Sequence, residues 1–173
     1  MSKACIIEKD WEWAEPLTAR TQTAYFIIHH TCGDPMQDTN EIMAEHLAAG
    51  WAGVGYHFMI KGDGTIVRGR PIWAIGAHAH GLNFNSIGIA LLGNFQSDDP
   101  GYTGEPTGTQ IDSLVNLLID LYEQYGQGEQ IIGHRDVAQL EAQQPNDDAT
   151  DCPGDVLYSM IDAVRERVAH EAA

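Results

Sequence analysis

Basic residues are scarce in this chain, since nine Lys and Arg stand against 25 Asp and Glu in 173 residues, a formal net charge of −16. A surface of that charge repels polyanions, so nucleic acid is excluded as a partner. Long apolar runs are also missing, and no segment approaches the ~20 residues that a membrane-spanning helix needs. We therefore expect no membrane insertion.

Cysteine is sparse as well, with Cys5, Cys32 and Cys152 the only three in the sequence. An odd and widely spaced set does not make a disulfide framework, which predicts folding in a reducing compartment. Residues 1–10 contain no apolar segment of the signal-peptide kind. We expect a protein made in the cytoplasm without a signal peptide, so a substrate outside the cytoplasm would be reached after release by another route.

Apolar segments of two periodicities alternate along the chain and predict an α/β fold. Continuous apolar runs predict buried strands, and Asp63-Gly64 between two such runs predicts a hairpin. Apolar residues three and four apart, with capping residues at the ends, predict helices. The expected strands are 24–28, 56–60, 65–69, 86–92 and 130–133, and the expected helices are 38–50, 107–126 and a terminal one from 155.

The order of these elements predicts one domain, residues 1–173, with a central mixed β-sheet flanked by helices. Residues 1–22 are expected to form an N-terminal arm that packs onto a core of residues 23–165. Residues 137–150 are expected to form a loop. This length is sufficient for a hydrophobic core without disulfides.

Two histidines and one cysteine occupy positions suited to a metal ion. His29 and His134 each end an apolar run, and Cys152 precedes Pro153, whose ring restricts φ. Three rigid His and Cys ligands with a fourth position open are the arrangement of catalytic zinc. Spacing alone leaves two interpretations equal, a zinc site or two core-edge histidines with a buried thiol, because eight histidines make chance pairs frequent.

The other candidate side chains have ordinary structural interpretations. Tyr56 could reach a site at the sheet edge, although a strand tyrosine is more often a core aromatic. Histidines outside the proposed trio are interpreted as hydrogen-bonded structural residues and left out of the metal set; they include His30, His57, His78 and His80.

Short motifs in one order along the chain connect these residues to a known family. They are Phe26-Ile27-Ile28-His29-His30-Thr31, Gly50-Trp51-Ala52-Gly53-Val54-Gly55-Tyr56-His57-Phe58, Gly64-Thr65-Ile66, Gly76-Ala77-His78-Ala79, Asn85-Ser86-Ile87-Gly88-Ile89, Gly93-Asn94-Phe95, Gly133-His134 and Asp151-Cys152-Pro153-Gly154. Together they resemble the type 2 N-acetylmuramoyl-L-alanine amidase family, which includes the T7-type phage lysozymes and the peptidoglycan recognition proteins. The resemblance extends over about residues 23–165.

The resemblance implies Zn²⁺ held by His29, His134 and Cys152, and a role for Tyr56 in handling the attacking water. It places Thr150 where T7-type lysozymes have a lysine and many catalytic recognition proteins a threonine, so that a hydroxyl would replace a cation at the developing oxyanion. The implied reaction is hydrolysis of the amide between N-acetylmuramic acid and L-alanine of peptidoglycan. Zinc chemistry suits it, since the bound metal lowers the pKa of water to about 7.

Two alternatives to a zinc amidase remain open. A peptidoglycan-binding receptor without activity would lack the zinc cysteine, whereas Cys152 is present. A structural zinc protein would need a fourth ligand, for which His30 and His78 are candidates. Within the amidase hypothesis a monomeric phage endolysin that lyses bacteria is favoured, and the runners-up are a recycling amidase and an antibacterial effector. Recycling enzymes of the family carry aspartate at the third ligand.

Overall fold

The computed structural model describes residues 3–126, 130–140 and 149–172 of the chain. In these ranges six strands form one sheet, namely β1 (Ile6–Ile7), β2 (Tyr25–His30), β3 (Phe58–Ile60), β4 (Ile66–Arg68), β5 (Ser86–Leu91) and β6 (Gln130–Gly133). The helices described are α1 (Thr39–Ala48), α2 (Gly108–Tyr125), α3 (Val137–Leu140) and α4 (Asp155–Glu171). Two 3-10 turns lie at Asn83–Asn85 and His134–Asp136.

The strands are ordered β1-β4-β3-β5-β2-β6, and the sheet is mixed. The β3–β4 pair is antiparallel, as the Asp-Gly turn predicts, while the other pairs are parallel. The predicted α/β class with a central mixed sheet is therefore confirmed. Because β2 lies between β5 and β6, its residues are buried from Phe26 to His30.

Alternation along β2 divides the core into two layers. Phe26 and Ile28 face the larger cluster, which α2 and α4 close with Leu114, Leu118 and Leu157 among others. Ile27 faces the opposite side, where it packs in a smaller cluster with Ala79 and Val137. His29 shares the parity of Ile27, so its side chain leaves the sheet on the face opposite to α2 and α4.

The helix ends follow the capping chemistry of the sequence. Thr107 and Gln110 form the predicted capping box of α2, each side chain bonding to the other's backbone N–H. Asp38 caps α1 by accepting the Asn40 N–H. Each hydroxyl or carboxylate satisfies a backbone donor that the first helical turn leaves unpaired.

The structure adds a strand to the N-terminal arm and corrects the expectation of a loop over residues 137–150. The N-terminal arm contributes an edge strand, because β1 pairs in parallel with β4, and Trp11 donates its indole N–H to the carbonyl of Arg68. The segment predicted as a loop begins with the short helix α3, whose Val137 is buried. Residues 141–148 of that segment lie outside the described residues. Among the helices described, none is long and apolar enough to cross a membrane.

Candidate active site

The carboxyl ends of β2 and β6 bring two histidines together. The two strands pair in parallel with Ile28 opposite Gly133, so the residues that follow, His29 and His134, emerge side by side. Their ring centroids are 4.5 Å apart at an angle of 52°. His29 is 1% exposed, and the rigid strand end limits the movement of its ring. The strand register thus produces the proximity that spacing alone left undecided.

The loop before α4 places Cys152 next to His29 and His134. The carbonyl of Cys152 accepts the backbone N–H of Arg135 at 2.9 Å. The Arg135 guanidinium donates to the Asp151 carbonyl and pairs with Asp155 at 2.8 Å. These contacts connect the loop to the turn that follows His134, and they leave the Cys152 Sγ 3.6 Å from the Nδ1 of His29.

The three side chains form a group that suits a metal ion. The candidate ligand atoms of His29, His134 and Cys152 all lie within 4.8 Å of one another. Bond lengths of four-coordinate zinc place neighbouring ligand atoms about 3.3–3.8 Å apart, close to the 3.6 Å between Cys152 Sγ and His29 Nδ1. Two imidazoles and a thiol are also zinc ligands by chemistry. The residues therefore fit this metal.

Burial controls the protonation of His29 and Cys152. It lowers the pKa of His29 well below its usual value, and neighbouring His78 and His134 lower it further. The imidazole is therefore neutral, as a metal ligand must be. Burial also raises the pKa of Cys152 to about 12. Without a metal the thiol keeps its proton, which a bound metal must displace.

Tyr56 and Thr150 border the group. The Tyr56 ring centroid lies 5.3 Å from that of His29, and burial raises the pKa of the phenol, which keeps its proton. Thr150 Oγ1 accepts the Cys152 N–H at 3.1 Å. Both side chains line a cleft of about 420 Å³ together with the three candidate ligands.

A second cleft of about 700 Å³ continues from the first. The two share Trp51, Ala77, His78, His134 and Thr150 in their walls. Because they share these walls, we treat the two clefts as one groove, and the three candidate ligands line its smaller part.

The sequence indicates no role for Trp51 at this site, and it offers His78 only as a candidate fourth ligand of a structural zinc ion. Trp51 lines both clefts and is 42% exposed, with its ring centroid 4.6 Å from that of His46. His78 was left out of the metal set, and the structure places its Nδ1 2.9 Å from the Nε2 of His29. Both residues belong to the motifs shared with the family, and these motifs were the only signal for them in the sequence. The contacts of their side chains are seen only in the structure.

Residues 19–155 match the family model described as N-acetylmuramoyl-L-alanine amidase. The chain belongs to this family. The amidase is 40% identical to the endolysin of Escherichia phage T7 over 122 residues, which are 69% of this chain and 79% of that protein. It is 34% identical to peptidoglycan-recognition protein SC2 of Drosophila melanogaster over 171 residues, covering 90% of this chain and 84% of that one.

A solved structure supports the same assignment. The endolysin N-acetylmuramoyl-L-alanine amidase LysCS from Clostridium intestinale URNW superposes with a TM-score of 0.79 at 34% identity, covering 95% of this chain and 97% of that one. The resemblance inferred from the motifs is confirmed, and the protein is an enzyme of the N-acetylmuramoyl-L-alanine amidase class. The roles of His29, His134, Cys152, Tyr56 and Thr150 stay predictions, as does the division into residues 1–22 and 23–165.

Proposed function

We propose that this amidase is a zinc-dependent phage endolysin that cleaves the amide between the lactyl group of N-acetylmuramic acid and L-alanine in peptidoglycan. The observation that carries the proposal is the group of His29, His134 and Cys152, whose ligand atoms lie within 4.8 Å of one another. The three side chains line the groove, in which a glycopeptide would be bound.

The three candidate ligands would hold the metal. Zinc bound there supplies a Lewis acid for the amide carbonyl and lowers the pKa of a water molecule to about 7. His29 and His134 contribute neutral nitrogen ligands, and Cys152 contributes a thiolate once its proton has left. Three protein ligands leave a fourth position for water or substrate.

Tyr56 and Thr150 would act on the oxygen atoms of the reaction. The raised pKa of Tyr56 keeps the phenol as a hydrogen-bond donor at neutral pH, so it can orient the attacking water or stabilise the oxyanion. Thr150 Oγ1 accepts the Cys152 N–H, and its own hydroxyl proton can be donated to the developing oxyanion. A neutral donor there replaces a lysine, so less of the oxyanion charge is neutralised by the protein.

The relatives support a lytic role. Proteins named endolysin, from phages T7 and T3, are 40% and 41% identical to this chain. The receptor alternative is disfavoured because Cys152 is present and lies in the group. We infer that the protein acts on the cell wall and, since one chain supplies all five candidate residues, that it acts as a monomer.

Zinc content and cleavage of a muramyl peptide test this proposal when they are measured on the same preparations. Wild type should hold one zinc per chain and cleave, whereas Cys152→Ala should lose both. Cys5→Ala is the matched control, because Cys5 is exposed on the N-terminal arm, and it should keep both. Full activity of Cys152→Ala, or of wild type stripped by a chelator, would contradict zinc catalysis. Zinc binding without cleavage would favour a receptor or structural role.

A further inference from the structure

We propose that His78 is a positioning residue for the candidate ligand His29, holding it in the tautomer and orientation that offer Nδ1 to the metal. The inference rests on the zinc site proposed above and adds a residue to it. The observation behind it is a line of hydrogen bonds that runs from the backbone of Leu82 through Ser86 and His78 to His29.

The direction of each hydrogen bond follows from the donors available. Ser86 Oγ lies 2.6 Å from the Leu82 carbonyl, which can only accept, so the serine proton points there. Ser86 Oγ therefore accepts from His78 Nε2 at 3.3 Å. A neutral imidazole has one N–H, so the remaining His78 nitrogen, Nδ1, is an acceptor. Its partner at 2.9 Å is the Nε2 of His29, which must carry the proton.

As a consequence, Nδ1 of His29 carries no proton. A neutral His29 protonated at Nε2 has its lone pair on Nδ1, the atom that faces Cys152 Sγ at 3.6 Å. The opposite tautomer would direct an N–H at the metal position and leave two acceptor nitrogens, on His29 and His78, facing each other. Only one tautomer therefore satisfies both the hydrogen bond and the metal.

The surroundings of His78 hold its ring in place. A Cβ on Gly88 would lie 2.5 Å from His78 Cγ, and one on Gly76 would lie 2.4 Å from His78 Cδ2. The ring therefore occupies a narrow slot that two glycines create. The His78 backbone N–H donates to Asn83 Oδ1 at 2.8 Å, which orders the loop that carries it.

The ring contact is edge to face, with His29 and His78 centroids 4.9 Å apart at 89°. If His78 only filled space, it would not need a nitrogen, Nδ1, where its ring meets that of His29. Metal-binding histidines generally donate their second N–H to a fixed acceptor, and loss of that acceptor typically weakens metal binding about 10- to 100-fold. Here the acceptor is a neutral imidazole on a different element of the fold.

Zinc affinity, measured by competition with a chromophoric chelator, tests the proposal. His78→Leu removes the acceptor and should weaken binding about 10- to 100-fold. His78→Asn returns an acceptor oxygen near the Nδ1 position and should recover most of the affinity. Val115→Ala, a truncation in the buried core away from the groove, is the matched control for lost stability and should bind as wild type does.

A second readout needs no metal. Nitrogen-15 NMR of the metal-free protein should show His29 protonated at Nε2 in wild type and as a mixture of tautomers in His78→Leu. If His78→Leu does not fold, Ser86→Ala replaces it, because loss of the hydroxyl releases the tautomer of His78. Ser86→Ala should then weaken zinc binding in the same direction.

The outcomes separate this inference from the zinc site itself. Unchanged zinc affinity in His78→Leu, alongside lost binding in Cys152→Ala, would overturn the role of His78 and leave the zinc site standing. Equal weakening in His78→Leu and His78→Asn would also overturn it, because space filling would then explain the effect. Equal zinc binding by wild type and Cys152→Ala would overturn both proposals.

Discussion

Substitution of Gly88 by alanine should damage both the fold and the candidate site, because the added methyl group would collide with His78. Gly88 lies in the middle of β5, opposite Ile27 of β2. An added methyl group would lie 2.5 Å from Cγ, 2.6 Å from Cδ2 and 2.7 Å from Nδ1 of His78. Carbon atoms normally approach no closer than about 3.5 Å, so the ring must move by about 1 Å. A Cβ on Gly76 would likewise lie 2.4 Å from His78 Cδ2.

The expected cost is that of an overpacked core, about 1–3 kcal/mol. A ring displaced by about 1 Å also distorts the His29–His78 hydrogen bond, which is 2.9 Å long in the wild type, in its length or its angle. Urea unfolding of the metal-free protein measures the first effect as a lower midpoint with an unchanged slope. Zinc competition measures the second as weaker binding.

Gly108→Ala is the matched control for the added methyl group. Gly108 begins α2, and a Cβ there meets nothing within 4 Å. The change should stabilise the protein by about 0.4–1 kcal/mol, because alanine restricts the unfolded chain. If Gly88→Ala proves as stable as wild type or as Gly108→Ala, the slot around His78 is wider than described, and the positioning argument fails.

Three further predictions concern stability and activity. Thr107→Ala should lower the free energy of unfolding by about 1 kcal/mol, since the capping box of α2 is lost, and an unchanged urea midpoint would contradict this. Burial lowers the pKa of His57 to about 3, so between pH 6.5 and pH 3 the unfolded chain binds a proton that the folded chain excludes, and stability falls as pH falls. The loss from His57 should be about 1.6 kcal/mol between pH 6.5 and pH 5 in metal-free protein. An equally steep profile of urea midpoint against pH in His57→Gln would refute this. Because the chain carries a net charge of −16, it should cleave thick, teichoic-acid-bearing walls more slowly than thin walls at low salt. The difference between the two rates should shrink as salt rises, since salt screens the repulsion. Equal rates at low salt would exclude this effect.

The elements predicted well are those whose signals are local. The capping residues of α2 lie within four positions of one another, and the Asp63-Gly64 turn connects adjacent strands. The strand β6 has the predicted bounds, 130–133. In each case one short segment contains both the signal and the structure that it specifies.

The elements missed depend on distant partners. Two residues, Ile6 and Ile7, form β1 only because β4 offers an unpaired edge sixty positions later. The helix α3 is a single turn without a helix signal in its own sequence. Its Val137 packs in a cluster with Ile27 and Ala79. Short elements of this kind are stabilised by tertiary contacts rather than by propensity.

Some features of the candidate site likewise follow from local sequence, and others depend on tertiary contacts. The sequence by itself determined the family, the order of the motifs and the chemical types of the candidate ligands, because these are properties of residues in a row. Only the tertiary structure decided that His29, His134 and Cys152 converge, and which nitrogen of His29 faces the thiol. Convergence needs the parallel register of β2 and β6, and the tautomer needs a hydrogen bond between residues 49 positions apart. Neither can be read from spacing, because both arise from packing between separate elements.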